Sequence, residues 1–206
     1  MSYYDSKQIL DEGAKTRLKV ALEARTASVE TWRDPLLKEV IAQSSNPTTR
    51  QSVSEFIGAW VALPGNKSSF LKEHFPAETT DGASKTQSVD FAAVQTDYSR
   101  RHHRRHITYK TVMERNSYAD VFLMDPEGNL VYSVLKKADF ATNVLTGEYK
   151  NSGLGTAFRQ ALSLGKNEAM FVDLAPYEAN GGAVAGFVSA PILSSNGAVM
   201  GAYAIR

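Results

Sequence analysis

The chain has no cysteine among its 206 residues. That excludes disulfides, thiolate metal sites, CxxC redox chemistry and a cysteine nucleophile. It leaves the compartment open between periplasm and cytosol. Bulk charge is missing too: Lys+Arg number 23 against Asp+Glu at 22. Nucleic acid or an anionic membrane would have to be held by a local patch. No apolar run approaches the ~20 residues of a spanning helix. No signal-peptide n-region and h-region precede the first helical segment. GxSxG, HExxH and EF-hand patterns are absent, and of the four histidines three fall in one basic run. Nothing supports catalysis, a metal or an organic cofactor, so the expectation is a binding protein and not an enzyme.

What is present suits a soluble globular protein. Hydrophobic residues make up 43% and charged residues 22%, with enough length to bury a sizeable core. From about Ser6 to Gln43 apolar residues recur at three- and four-residue spacings, among them Ile9, Leu18, Leu22, Trp32, Leu36 and Val40. Pro35 interrupts the run and predicts the first turn of a second helix. "SSNPTT" breaks the chain, and "RQSVSEFIGAWVAL" predicts a helix carrying Val53, Phe56, Ile57 and Trp60. "PGNKSS" ends it, and His74 is assigned to a loop. Residues 76 to 88 are small, polar and turn-rich, which predicts a surface loop. Residues 89 to 115 predict a further helix, with Phe91, Val94, Tyr98, Val112 and Met113 on its apolar side.

At Tyr118 the period changes to two. "YADVFLMD", the turn "PEG" and "NLVYSVL" predict a β-hairpin. A short helix follows at "LGTAFRQAL", then a strand at "AMFVDLAPY" and a last hairpin around "SSNG". Strand pairs joined by short turns predict an antiparallel sheet. The fold class is therefore α+β: long N-terminal helices packed on a five-stranded antiparallel sheet. The domain reading is a helical region over 1–90 and a sheet domain over 91–206. Within the first hairpin, Asp120, Phe122 and Met124 share one side with Tyr118, and Val121 and Leu123 take the other. One set is expected on the helices and the other on a cavity.

"RRHHRRH", residues 100 to 106, is the loudest local signal. On a helix Arg101, Arg104 and Arg105 share one side, while His102 and His106 share another at i and i+4. No nearby Asp, Glu or Cys completes a metal set. The choice lies between a solvated helix face and a pocket-facing His or Arg that binds an anion. One basic face in a neutral chain is too small a footprint for nucleic acid. "NSGLGTAF" lacks the third glycine of a dinucleotide fingerprint and reads as a plain loop leading into a helix. Asp125 and Glu127 sit in a turn as good turn formers.

The sheet half carries more. Asp173 lies between apolar residues in "FVDLAPY", where a strand should bury it and burial demands a partner. Tyr132, Tyr149, Tyr177 and Tyr203 supply amphipathic rings of the kind that line small-ligand pockets. Lys136, Lys137 and Asp139 follow the first hairpin with both charge signs, the mixture that grips a small zwitterion or carboxylate. The candidate ligand-binding set is Tyr118, Asp120, Tyr132, Lys136, Tyr149, Asp173, Tyr177, His102 and His106.

The segments "YADVFLMDPEGNLVYSVLKKADFATNVLTGEYKNSGLGTAF", "FVDLAPYEANGGAVAGFVSAPIL" and "GAVMGAYAIR" resemble the extracytoplasmic sensor domains of bacterial methyl-accepting chemotaxis receptors. These belong to the Cache group, with a PAS-like sheet, and related domains occur on sensor kinases and nucleotide cyclases. The resemblance covers Tyr118 to Arg206. It implies a periplasmic domain of an inner-membrane protein, excised from flanking membrane helices. Ile9, Leu18 and Leu22 lie on one stripe of the first helix with little nearby in sequence to cover it, which predicts a weak parallel homodimer through that helix. The resemblance also implies a small-molecule ligand: an amino acid, a carboxylate or a similar metabolite. The YxxxRxWY-type amino-acid motif of many such sensors is absent in that form, and "RNSYADVF" is the nearest stretch. The competing reading is an interaction module that docks a periplasmic partner without a small ligand.

Overall fold

The computed structural model describes residues 3–77 and 95–206. Contacts divide the chain into two compact units, Met1–Leu36 and Leu37–Arg206. The expected boundary at residue 90, the predicted loop from residue 78 onward, and Phe91 and Val94 all lie outside the described residues.

Helix α1 runs unbroken over Tyr3–Ser45 with Pro35 inside it. The predicted second start at Pro35 is therefore corrected. Proline removes one N–H, but the turns on either side carry the helix through, and Arg33 pairs with Asp34 at 3.1 Å. The break comes instead at Asn46. Its side chain accepts from Thr48 N–H, and Pro47 occupies the first turn of α2, Pro47–Val61. Helix α3, Lys67–His74, was not expected from the sequence, and it moves His74 from a loop into a helix. Helix α4, Asp97–Arg115, opens on a capping box between Thr96 and Ser99. Helix α5 covers Gly153–Leu162.

The sheet is antiparallel and five-stranded, in the order β2-β1-β5-β4-β3. Its strands are β1 Val121–Met124, β2 Leu130–Ser133, β3 Met170–Pro176, β4 Val184–Leu193 and β5 Val199–Ile205. This is the α+β arrangement with a five-stranded antiparallel sheet that the sequence predicts.

Register decides which side chains meet. Leu123 pairs with Tyr132 on β2 and Tyr203 on β5, so these three share one face. Phe56 of α2 stacks on Tyr132 at 4.8 Å there, and Tyr109 of α4 lies 5.3 Å from the same ring. Phe122 and Met124 point to the other face. They pack with Leu154, Phe158 and Ala161 of α5 and with Phe187 of β4. Both faces of β1 and β2 are thus covered, and every residue of these two strands is buried. Gly153 and Gly155 serve that packing. A Cβ on Gly153 would lie 2.8 Å from the Phe187 ring, and one on Gly155 would lie 2.6 Å from the Lys150 carbonyl oxygen. The plain loop-to-helix reading of "NSGLG" holds.

Candidate functional site

The basic run on α4 resolves into two faces. Arg105 donates twice to Glu55 of α2, at 3.0 Å each, and Arg101 stands 3.8 Å from the same carboxylate. The Arg105 hydrogen bonds hold the Glu55 carboxyl below its usual range. These arginines fasten α4 to α2. The solvated-face reading fits Arg104 and His103, which are exposed. His102 is buried, and its ring stacks on His106 at 4.6 Å. His106 Nδ1 lies 2.9 Å from the Tyr132 hydroxyl. His102, His106 and Tyr132 therefore form one cluster on the α2–α4 face of the sheet. No group of three metal-ligating side chains occurs among the described residues.

The α5 face holds a different cluster. Asp120 precedes β1 and is 0% exposed. Its Oδ1 accepts from the backbone N–H groups of Val121, Val134 and Leu135 at 2.8, 3.1 and 3.1 Å. Its Oδ2 is buried with no partner among the described residues. Asp139 is also 0% exposed. Its Oδ2 accepts from the Tyr177 hydroxyl at 2.5 Å, and its Oδ1 is buried with no partner among the described residues. Arg206, directly after β5, donates from Nη2 to the Ala119 carbonyl at 3.1 Å. Its Nε and Nη1 are buried with no partner among the described residues. Lys137 donates to Asn180 Oδ1 at 2.5 Å. Lys136 is buried, and its ammonium donates to the Val134 carbonyl at 3.0 Å. Tyr149 stands 6.2 Å from Tyr177, ring to ring.

Electrostatics tie these groups together. Burial, then the charge of Asp139, push the Asp120 carboxyl up to about 7. Burial pushes Asp139 up as well, against the Tyr177 hydrogen bond and the charges of Arg206 and Lys137. Burial and then the nearby Asp139 charge push the Tyr177 hydroxyl up. Burial lowers Lys137, and the charge of Arg206 adds to that. Desolvation thus works against charge at Asp120, Asp139, Tyr177 and Lys137.

The sequence-predicted set is split by this geometry. Asp120, Tyr149 and Tyr177 come together on the α5 face, with Lys136 following β2. His102, His106 and Tyr132 lie across the sheet from them. Asp173 is corrected. It is exposed, and its carboxylate accepts only from the adjacent Leu174 N–H among the described residues. β3 is an edge strand whose pairing shifts between Val172 and Ala175, and this part of it is exposed. Tyr118 is corrected too. It precedes β1, after Ser117 at φ 56°, so strand alternation does not reach it. The charge of Glu39 acts on it and it couples to Tyr203, which puts it with the helices.

Asp139 and Lys137 carried a sequence signal in their mixed charge. Arg206 and Asn180 carried none. Among the described residues, two cavities lie elsewhere. One of about 250 Å³ sits beside Ser99 and His103, and one of about 300 Å³ lies between Arg50, Lys166 and Ser194. Neither is lined by any member of the predicted set among the described residues. No described helix is long and apolar enough to cross a membrane.

No family model matches the chain, and no curated protein matches it. Solved structures do. The sensor domain of the V. cholerae histidine kinase DctB matches at 15% identity and a TM-score of 0.41, over 84% of this chain and 55% of that one. The extracellular domain of a histidine kinase, rpHK1S-Z16, matches at 15% identity and a TM-score of 0.39, over 85% and 57%. A sensory box sensor histidine kinase from Vibrio cholerae matches at 11% identity and a TM-score of 0.33, over 52% and 93%. The chain spans about half the length of the DctB structure. At these values the neighbours lend no residue-level role to this chain.

Proposed function

We propose that this chain is the extracytoplasmic ligand-sensing domain of a membrane-anchored signalling protein. Its ligand site is the buried cluster of Asp120, Asp139, Tyr177, Lys137 and Arg206. One observation carries this reading. Two carboxylate oxygens and two guanidinium nitrogens are buried there with no partner among the described residues. Buried polar atoms without partners are costly, and a small molecule with both donors and acceptors would satisfy both kinds at once. An ammonium group suits Asp120 Oδ2 and Asp139 Oδ1, and a carboxylate suits Arg206, so the expected ligand is a small zwitterion or amino-acid-like metabolite.

Signalling needs different affinity for two arrangements of the domain, not binding alone. Arg206 supplies the link. Its backbone N–H donates to the Asp120 carbonyl, and its carbonyl accepts from Ala119 N–H. A ligand that draws in the guanidinium therefore acts on the end of β5. The output is chemotaxis or kinase signalling across the inner membrane from the periplasm.

A thermal-shift screen of amino acids, organic acids, purines and polyamines tests the site. A ligand at 100 times its Kd should add about 2.7 kcal/mol. Arg206→Gln should abolish the shift, and Asp173→Ala should leave it unchanged. A shift that survives Arg206→Gln and Asp139→Asn places the ligand elsewhere.

We also propose weak parallel dimerisation through α1. Leu18 and Leu22 of the predicted stripe are 71% and 67% exposed; the side chain of Ile9 lies outside the described residues. Sedimentation velocity should show association that Leu18→Glu with Leu22→Glu removes. Monomer alone at the highest soluble concentration would overturn it.

The interaction-module reading has one observation in its favour. Leu174 and Val184 are 63% and 62% exposed on the β3–β4 edge. A chain that gains no stability from any compound in the screen but retains a protein partner through Leu174 would support it.

A further inference from the structure

Asp120 and Asp139 are buried carboxyl groups, and neither is in an ion pair among the described residues. Each keeps one oxygen buried without a partner among the described residues. An ionised carboxylate in that state is costly, and two that repel each other are costlier. One proton relieves both problems. It neutralises one carboxyl and turns its empty oxygen into a donor.

The groups around the pair are Arg206, Lys137, Lys136, Tyr177 and Tyr149. Arg206 and Lys137 favour the charged carboxylates, and Tyr177 donates to Asp139. The Lys136 ammonium is directed to the Val134 carbonyl, and the Lys137 ammonium to Asn180. Tyr149 stays neutral, its hydroxyl pushed up by burial. Burial outweighs the cations at both aspartates, and the charge of Asp139 adds to it at Asp120.

We propose that the Asp120–Asp139 pair is a proton-binding site that makes the domain a pH sensor in its own right. Below neutral pH the pair holds one proton. Above it, both carboxylates are charged and draw on the unpartnered Nε and Nη1 of Arg206. That pull reaches the end of β5 through the Arg206–Asp120 backbone bond. The proposal rests on the sensor reading for what this movement reports, and not for the proton itself.

The sign follows from linkage. The folded chain holds the proton more tightly than the unfolded chain, whose aspartates titrate near 3.9. The stabilisation is therefore full below about pH 4 and is lost as pH rises through about 7. Between pH 5 and pH 8 the unfolding equilibrium constant should rise on the order of a hundredfold from this group. Asp120→Asn keeps the Oδ1 acceptor for the three N–H groups and presents an amide donor where the proton would be. It should flatten this slope.

Infrared difference spectroscopy of the ligand-free chain from pH 5 to 8.5 is the direct test. The expected result is a buried protonated-carboxyl band that disappears with a midpoint near neutral, is lost from Asp120→Asn, and moves to a lower midpoint in Asp139→Asn, which removes the neighbouring charge but not the burial. No such band in the native chain at pH 6, or the same band in both variants, would overturn the proposal. If a variant fails to fold, the native titration alone decides. Because no ligand is present, a failed ligand screen has no bearing on the result, and its own failure leaves the ligand site standing.

Discussion

Asp120→Ala is expected to cost the domain about 2–4 kcal/mol, read as a lowered midpoint in urea unfolding. The carboxylate is the acceptor for three backbone N–H groups around the first hairpin. Val134 N–H has a second acceptor, the Val121 carbonyl at 3.2 Å. The Val121 and Leu135 N–H groups therefore bear the loss, at ~1–3 kcal/mol each for a buried donor left unmade. Relief of repulsion with Asp139 returns part of that, so the full sum is not reached. Asp120→Asn should cost much less, because its amide oxygen replaces Oδ1. Equal losses for the two variants would mean that the carboxylate's charge, and not its acceptor, holds the hairpin.

Gly201→Ala should be of similar size, about 2–4 kcal/mol. Gly201 sits in β5, the central strand, with φ at 144°. L-residues rarely adopt that backbone, and a Cβ there would lie 2.1 Å from the Met124 carbonyl oxygen. Backbone cannot move aside as a side-chain tip does. The strand would have to shift against β1, and Arg206 lies at its end. The variant should thus lose stability and also any ligand response at Arg206. A variant as stable as the native chain would show that β5 tolerates displacement from β1.

Much of the sheet was legible because period two is a local property. Val121 to Met124, Leu130 to Ser133 and the two later hairpin strands announce themselves by alternation and by their turns. Helix α3 was missed although it has a start signal: Asn66 caps Ser69 N–H at 3.0 Å, and Phe70, Leu71 and Phe75 follow. Eight residues are too few to show a helical period clearly. Pro35 misled because a helix as long as α1 absorbs one missing hydrogen bond.

The site was half legible for a different reason. Alternation says that Asp120 and Phe122 share a face, but not what covers that face. His102 and His106 do share a helix side, and that side meets the opposite face of the sheet at Tyr132. Asp173 has a strand's neighbours but lies on an edge strand, and edge position is a property of the whole sheet. Arg206 stands in sequence as one terminal cation, and only the pairing of β5 with β1 brings it to Asp120.

The buried atoms of Asp120, Asp139 and Arg206 that lack a partner among the described residues are expected to form a ligand site. The most direct measurement is NMR of the 15N-labelled domain, titrated with the compound that gives the largest thermal shift. The Arg206 Nε–H signal should move with the same dissociation constant as the thermal shift, together with the backbone amides of Asp120 and Asp139. An Arg206 Nε–H signal that stays in place while amides elsewhere on the domain move would contradict it.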